Sequence, residues 1–185
     1  LKIDTSKQLD LNSPVIFTDG TDFFNNLKKN YITHNKGLFI LAPSGAGKSY
    51  YIESQDKNDW IDGDVIWNGS LAHPDAKWWL EGQHIIDEVD AKSDIITMQA
   101  KKMGFWILGA SNNWLRPDAI VLPDWETHKS YIISREYNNY DGGAKAKDLD
   151  KVLVHRNTIL NWEKKGVPKF DSVADAVNYL TIKEA

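Results

Sequence analysis

Residues 37–49 read Gly37-Leu38-Phe39-Ile40-Leu41-Ala42-Pro43-Ser44-Gly45-Ala46-Gly47-Lys48-Ser49. The first six, GLFILA, are a continuous apolar run of strand length, which predicts a strand buried on both faces. Two glycines among small residues follow, and a helix is expected to begin near Lys48. A strand that feeds a glycine-rich loop and then a helix builds a cradle for an anion. Glycines let successive backbone N–H groups curl around a phosphate without Cβ clashes. The helix start presents its positive end to the same anion.

Residues 42–49 match the Walker A pattern, with Ala42 in place of its first glycine. Ser44, Gly45, Ala46 and Gly47 are then the expected phosphate-cradling positions. Lys48 is expected to reach the β- and γ-phosphates, and the Ser49 hydroxyl to ligate Mg²⁺. ATP and Mg²⁺ are thus the expected ligands. The competing reading is a glycine-rich turn before a helix.

The 185 residues suffice for one domain, 1–185, and are too few for two full cores. No run approaches a membrane span or a signal peptide, so no membrane partner is expected. Leu1 stands where an initiator methionine would, so a short N-terminal piece is expected to precede it. The chain has no cysteine, which excludes disulfides, thiolate metal sites and thiol catalysis and fits a cytoplasmic protein. A net charge of -4 argues against a broad nucleic-acid surface. Arginine occurs only at Arg116, Arg135 and Arg156, so any step that needs a planar, permanent cation draws on these three.

Strand and helix signals alternate along the chain. They predict an α/β fold of three layers, the P-loop NTPase type, with a mainly parallel sheet and helices on both faces. Strands are expected at residues 15–17, 37–42, 60–62, 105–110 and 119–122. Thr21 or Asp22 is expected to cap a helix to about Tyr31. Residues 75–103 read as helical with Gly82 as a break, 124–137 and 149–164 as helices, and Ser172 as the cap of a last helix. Residues 138–148, rich in Gly, Asn and Lys, are expected to form a mobile, lid-like loop, with Gly142 and Gly143 as hinges and Lys145 and Lys147 as phosphate contacts.

In Ile61-Asp62-Gly63-Asp64, Asp62 lies thirteen residues after Ser49. It reads as a strand end and an Asp-Gly-Asp turn. If that strand lies near the loop strand, one carboxylate can hold a Mg²⁺-bound water and the other can take a proton from an attacking hydroxyl. The alternative is a plain turn, since Asp-Gly is strong turn chemistry.

With the Walker A residues and Asp62-Gly63-Asp64 together, the chain resembles the P-loop kinases of small molecules and nucleotides: gluconate, shikimate, adenylylsulfate, nucleoside monophosphate and polynucleotide kinases. Residues 105–110 (FWILGA) look like that family's strand beside the P-loop. Leu122-Pro123-Asp124, with Arg135 on the helix that follows, looks like its approach to a lid. The resemblance implies that Lys48 and Arg135 act on the transferring phosphoryl group, with Arg156, a nucleotide contact, as the second candidate for the lid arginine. It makes Asp64 the base and acceptor contact, and turns Asp62 toward magnesium. Each arginine has an alternative as a surface ion pair.

Residues 84–90 (HIIDEVD) also resemble the Walker B strand of an AAA-type ATPase, with Asp87 and Glu88 as its carboxylates and 109–112 imitating a sensor asparagine. Helix-like flanks weigh against that reading. A nucleotide-binding module without catalysis is a third class, which the intact Lys48, Ser49, Asp62 and Asp64 disfavour.

Trp67, Asn68, His73, Trp78 and Trp79 precede the 105–110 strand, and Asn112, Asn113, Trp114 and Arg116 follow it. Aromatics with amides suit a flat, hydrogen-bonding acceptor, so a nucleoside, nucleotide or related small hydroxylated molecule is expected, with Trp67, Asn112 and Arg116 among its contacts. The alternative for Trp78 and Trp79 is packing of a helix on the sheet. A hydroxymethylated pyrimidine in phage DNA is the runner-up acceptor, with Lys145, Lys147 and Lys151 tracking the backbone.

Overall fold

The computed structural model describes residues 22–70, 80–138 and 144–184. Among them the order is α1 (Phe23–Asn30), β1 (Leu38–Leu41), α2 (Lys48–Ser54), β2 (Trp60–Asp62), α3 (Gly63–Ser70), α4 (Gln83–Lys102), β3 (Trp106–Gly109), β4 (Ala119–Val121), α5 (Trp125–Tyr137), α6 (Leu149–Lys164), β5 (Lys169–Phe170) and α7 (Val173–Glu184). A 3-10 turn, Ala146–Asp148, precedes α6. The strands form one parallel five-stranded sheet in the order β2-β3-β1-β4-β5. Ile40 and Leu41 of β1 stand opposite Ala119 and Ile120 of β4, and Ile120 and Val121 stand opposite Lys169 and Phe170 of β5. The α/β class follows from this arrangement: parallel neighbours need crossover connections, and helices supply most of them.

β1 is buried at all four positions, as a continuous apolar run in a parallel sheet should be. The expected caps Asp22 and Ser172 are present, and Asp124 caps α5. Asp22 accepts the N–H groups of Phe24 and Asn25 at 2.8 and 3.1 Å, Asp124 accepts that of Thr127 at 3.1 Å, and the Ser172 hydroxyl accepts that of Asp175 at 3.1 Å.

Three expectations need correction. The Asp-Gly-Asp segment is not a free turn: α3 begins at Gly63, and Asp62 Oδ1 accepts the Asp64 N–H at 3.0 Å. The capping strength of Asp prevails there over the turn chemistry of Asp-Gly. Residues 84–90 form no strand; they lie in α4, which Gly82 (φ 128°) precedes. Val89, Ile96 and Ala100 of that helix are buried at helical spacing, whereas Ile85 and Ile86 are only half-buried, so the apolar run is part of an amphipathic helix. The expected loop 138–148 ends in the 3-10 turn, where Ala146 N–H is held by Glu136 Oε2 at 2.7 Å. Residues 139–143, the strand expected at 15–17, and His73, Trp78 and Trp79 lie outside the described residues.

The chain gathers into two compact units interleaved in sequence. One is drawn from Leu1–Leu38, Gln55–Ile107 and Ser111–Leu115, the other from Phe39–Ser54, Leu108–Ala110 and Arg116–Ala185. In the first unit, α4 turns two carboxylates inward, one helical turn apart. Asp94 Oδ2 accepts the backbone N–H groups of Asn113, Trp114 and Leu115 at 2.8, 2.7 and 3.0 Å. That single oxygen shapes the chain after β3. Asp90 Oδ2 takes the Ser111 hydroxyl at 2.6 Å. Burial pushes the Asp90 carboxyl up to about 7; the Ser111 hydrogen bond opposes this, and the charges of Asp94 and Asp87 add to it. Burial also raises Asp94, against the pull of its three N–H donors.

These carboxylates make stability depend on pH. Asp90 ionises near 3.8 when unfolded and near 7 when folded, so its contribution is complete below about pH 4 and is lost as pH rises through 7. The rise corresponds to at most about 4 kcal/mol. Asp90→Asn keeps an acceptor for Ser111 and carries no charge. The stability difference between Asp90→Asn and wild type in urea unfolding should therefore grow in the variant's favour from pH 4 to pH 8, leaving the variant with the higher midpoint at pH 8. Superimposable profiles would mean that Asp90 does not titrate in this range.

Candidate functional site

Loop 43–47 and the helices α2, α5 and α6 belong to the second unit. β1 ends at Leu41, and Ala42, wholly buried, donates its N–H to Gly109 O at 2.8 Å. The methyl group of Ala42 therefore lies in the core and leaves the loop undisturbed. Ala46 N–H closes a turn on Pro43 O at 3.1 Å, and Tyr51 N–H starts the helical ladder on Gly47 O at 3.1 Å. Gly45 (φ 84°) and Gly47 (φ 100°) both occupy the left-handed region. Their surroundings differ. A Cβ on Gly45 would lie 2.4 Å from Ile132 Cγ1, whereas one on Gly47 would meet nothing within 4 Å. Gly45 is required by conformation and by packing, Gly47 by conformation alone.

The wall opposite Gly45 is α5. His128, Ile132 and Arg135 recur at i, i+4 and i+7, so one face of the helix carries all three toward the loop. Ile132 packs with Ala144 and Val152, which joins α5 to the residues before α6 and to α6 itself. His128 is fully buried. Its Nε2 lies 2.7 Å from the Ser44 carbonyl oxygen and its Nδ1 lies 3.3 Å from Arg156 Nη1. A carbonyl only accepts and a guanidinium only donates, so the ring is neutral with its hydrogen on Nε2. Burial holds its pKa below the ordinary value, and the positive charges of Arg156, Arg135 and Lys48 push the same way, against the Ser44 hydrogen bond.

Arg135 Nη2 lies 3.4 Å from both Ser44 Oγ and Ala144 O, and Ser44 Oγ accepts the Ala144 N–H at 3.1 Å. Burial lowers the Arg156 pKa, and the charge of Asp124 opposes the change. His155 is driven down to about 4 by burial, then by Lys48 and His128. Three cations thus converge on one glycine loop. Mutual repulsion makes such an arrangement costly by itself, and an anion bound among them relieves it.

The structure brings Ser44, Gly45, Ala46, Gly47, Lys48, Arg135 and Arg156 into this one unit, with Ser49 next to Lys48 at the start of α2. Asp62 closes β2 and Asp64, exposed, lies in the first turn of α3, both in the other unit. Trp67 lies in α3, with its side chain outside the described residues. Asn112 and Arg116 hold backbone: Asn112 Nδ2 donates to Leu115 O at 2.7 Å, and Arg116 Nη1 to Lys165 O at 2.9 Å. His128 and His155 were missed by sequence reasoning. The available signal was the spacing of His128 from Arg135, two turns along one helix face. No protein-family model matches the chain, and no curated protein matches it in sequence.

Two measurements test this geometry. Gly45→Ala should lower stability by about 2–4 kcal/mol, from the left-handed backbone and the contact with Ile132. Gly47→Ala should lose only the first part, about 1–2 kcal/mol. Equal losses in denaturant titrations would refute the close approach of α5. For His155, depressed from 6.5 to about 4, stability is complete above about pH 6.5 and is lost as pH falls through 4. The stability difference between His155→Gln and wild type should therefore shift in the variant's favour as pH falls from about 6.5 to 4, and a difference independent of pH would place the titration elsewhere.

Proposed function

We propose that this protein binds a nucleoside triphosphate on loop 43–47 and transfers its γ-phosphoryl group to a hydroxyl of a nucleoside, nucleotide or related small molecule. The observation that carries this reading is a loop whose glycines stand in the left-handed region, followed directly by Lys48, met at Ser44 by Arg135 and joined through His128 to Arg156. Supporting it, β3 lies beside β1 in the sheet, as the resemblance to P-loop kinases implies. The parallel sheet and its helices suit the three-layer form of such enzymes.

Phosphoryl transfer has a loose transition state with charge spread over the equatorial oxygens, so catalysis is chiefly positioning and charge stabilisation. The loop N–H groups bind the phosphates. Lys48 meets the β- and γ-oxygens, and Arg135 meets the phosphoryl group in flight from the α5 side, with Arg156 behind it on α6. The bond from γ-phosphorus to its bridging oxygen breaks as the bond to the acceptor oxygen forms. The acceptor's proton would go to a carboxylate, the role that the resemblance to P-loop kinases gives Asp64. The Ser49 hydroxyl is a hard oxygen donor that would suit magnesium, which keeps several waters and phosphate oxygens and needs few protein ligands, and the resemblance to P-loop kinases gives the Asp62 carboxylate a like role. When bound, it supplies charge neutralisation between the β- and γ-phosphates.

The competing ATPase reading needs a strand that carries Asp87 and Glu88. Both lie on the exposed side of α4, where Asp87 accepts from Gln83 Nε2 at 2.8 Å and Glu88 pairs with Lys92 at 3.1 Å. That reading loses its support.

Label transfer from γ-labelled ATP across nucleosides, nucleotides, sugars and hydroxymethylated DNA tests the proposal. Lys48→Ala should lower transfer roughly a hundred- to a thousandfold with little change in stability. Asp64→Asn should retain ATP binding and lose roughly a hundredfold in turnover with acceptor. A DNA acceptor should show activity that falls steeply with salt, and a small molecule a shallow dependence. Brisk ATP hydrolysis with no labelled product from any acceptor would overturn the kinase reading.

A further inference from the structure

The buried ring of His128 joins the glycine loop to a helix more than a hundred residues further along the chain, and the scheme above gives it no task. We infer that His128 is a positioning residue whose two nitrogens tie the Ser44 carbonyl to the Arg156 guanidinium, fixing the distance between the phosphate loop and that arginine before a nucleotide arrives. The inference rests on the reading of loop 43–47 as a phosphate cradle and deepens it.

The geometry leaves the ring one arrangement. Nε2–H donates to Ser44 O at 2.7 Å, and Nδ1 accepts from Arg156 Nη1 at 3.3 Å. Trp125 meets the ring edge-on, with centroids 5.6 Å apart, and the ring itself is wholly buried. It therefore behaves as a rigid spacer. An unheld arginine loses about 2 kcal/mol of rotamer freedom when it binds a ligand. One of its five donors given to Nδ1 settles part of that loss in the free protein and leaves the fork pointed. Displacement of such a group by about 1 Å can cost about a hundredfold in rate.

The groups that face the ring are Ser44 of the loop, Lys48 of α2, Trp125 and Arg135 of α5, and His155 and Arg156 of α6; Asp124 acts on Arg156. Protonation would set an N–H on Nδ1 against the guanidinium and break that arm. The surrounding positive charge and burial favour the neutral ring that the spacer needs.

Two variants separate the arms. Gln at position 128 places an amide nitrogen where Nε2 stands, keeping the bond to Ser44 and losing the acceptor for Arg156. Asn places an oxygen where Nδ1 stands, with the opposite result. His128→Gln should keep the ATP affinity and lose roughly a hundredfold in kcat. His128→Asn should weaken ATP binding about tenfold, the scale of one hydrogen bond, with the smaller loss in kcat. Arg156→Gln should lower kcat as His128→Gln does, and the double variant should fall no further. If wild type binds and transfers but both His128 variants match it, or both lose affinity and kcat alike, the inference fails and the cradle reading stands. If wild type binds no MgATP, the cradle reading fails. The ring is then judged on ¹⁵N spectra of the wild-type protein, which also serve should a variant not fold. A neutral ring with hydrogen on Nε2 and an Nδ1 shift that moves in Arg156→Gln supports the spacer; a protonated ring, or an Nδ1 signal indifferent to Arg156, overturns it.

Discussion

The approach of α5 to loop 43–47 is the constraint from which the candidate site follows. Ile132 fills the space a side chain at position 45 would need, so the loop is held to a glycine, in a backbone region glycine adopts freely. One turn before Ile132, His128 grips the Ser44 carbonyl; one turn after it, Arg135 reaches the Ser44 hydroxyl. The same residue is thus held by backbone and side chain from one helix face. A phosphate cradle works by fixed N–H directions, and a loop pinned in this way has little freedom left to lose when a ligand binds.

Among the described residues, the arginine on α6 meets this arrangement through the histidine. Arg135 and Arg156 sit on different helices, joined by the small apolar cluster of Ile132, Ala144 and Val152. That cluster sets the spacing of the helices, and the His128 ring sets the spacing of the charges. Packing without the ring would leave Arg156 near the loop and unaimed; the ring without the packing would have no fixed helix to bridge.

Ionisable groups in the two units act in opposite senses. Asp90 and Asp94 are carboxyls that burial makes easier to protonate, so acid favours the fold of their unit. His128 and His155 are imidazoles that burial makes harder to protonate, so acid disfavours theirs. Between about pH 4 and 7 the contributions partly cancel in any global measurement. A flat pH profile for the whole chain would conceal both, which is why single substitutions are needed to expose either.

Much of the fold was legible because it rests on patterns that side chains display. The run GLFILA gave β1, and Asp22, Asp124 and Ser172 gave helix starts. Lys48, Arg135 and Arg156 were legible through motif and scarcity. The clamps were not. Asp94 is satisfied by three backbone N–H groups about twenty residues away, and His128 by a backbone carbonyl at position 44. Backbone groups are the same at every residue, so no letter marks them as partners. A charged residue on a helix shows nothing of the backbone it will hold, and Asp90 and Asp94 acquire their partners only where the chain after β3 folds over them. The same blindness explains Asp62: its partner is the N–H of Asp64, two residues on, and only the helix that begins at Gly63 shows that the carboxylate serves a cap as well as any chemistry assigned to it.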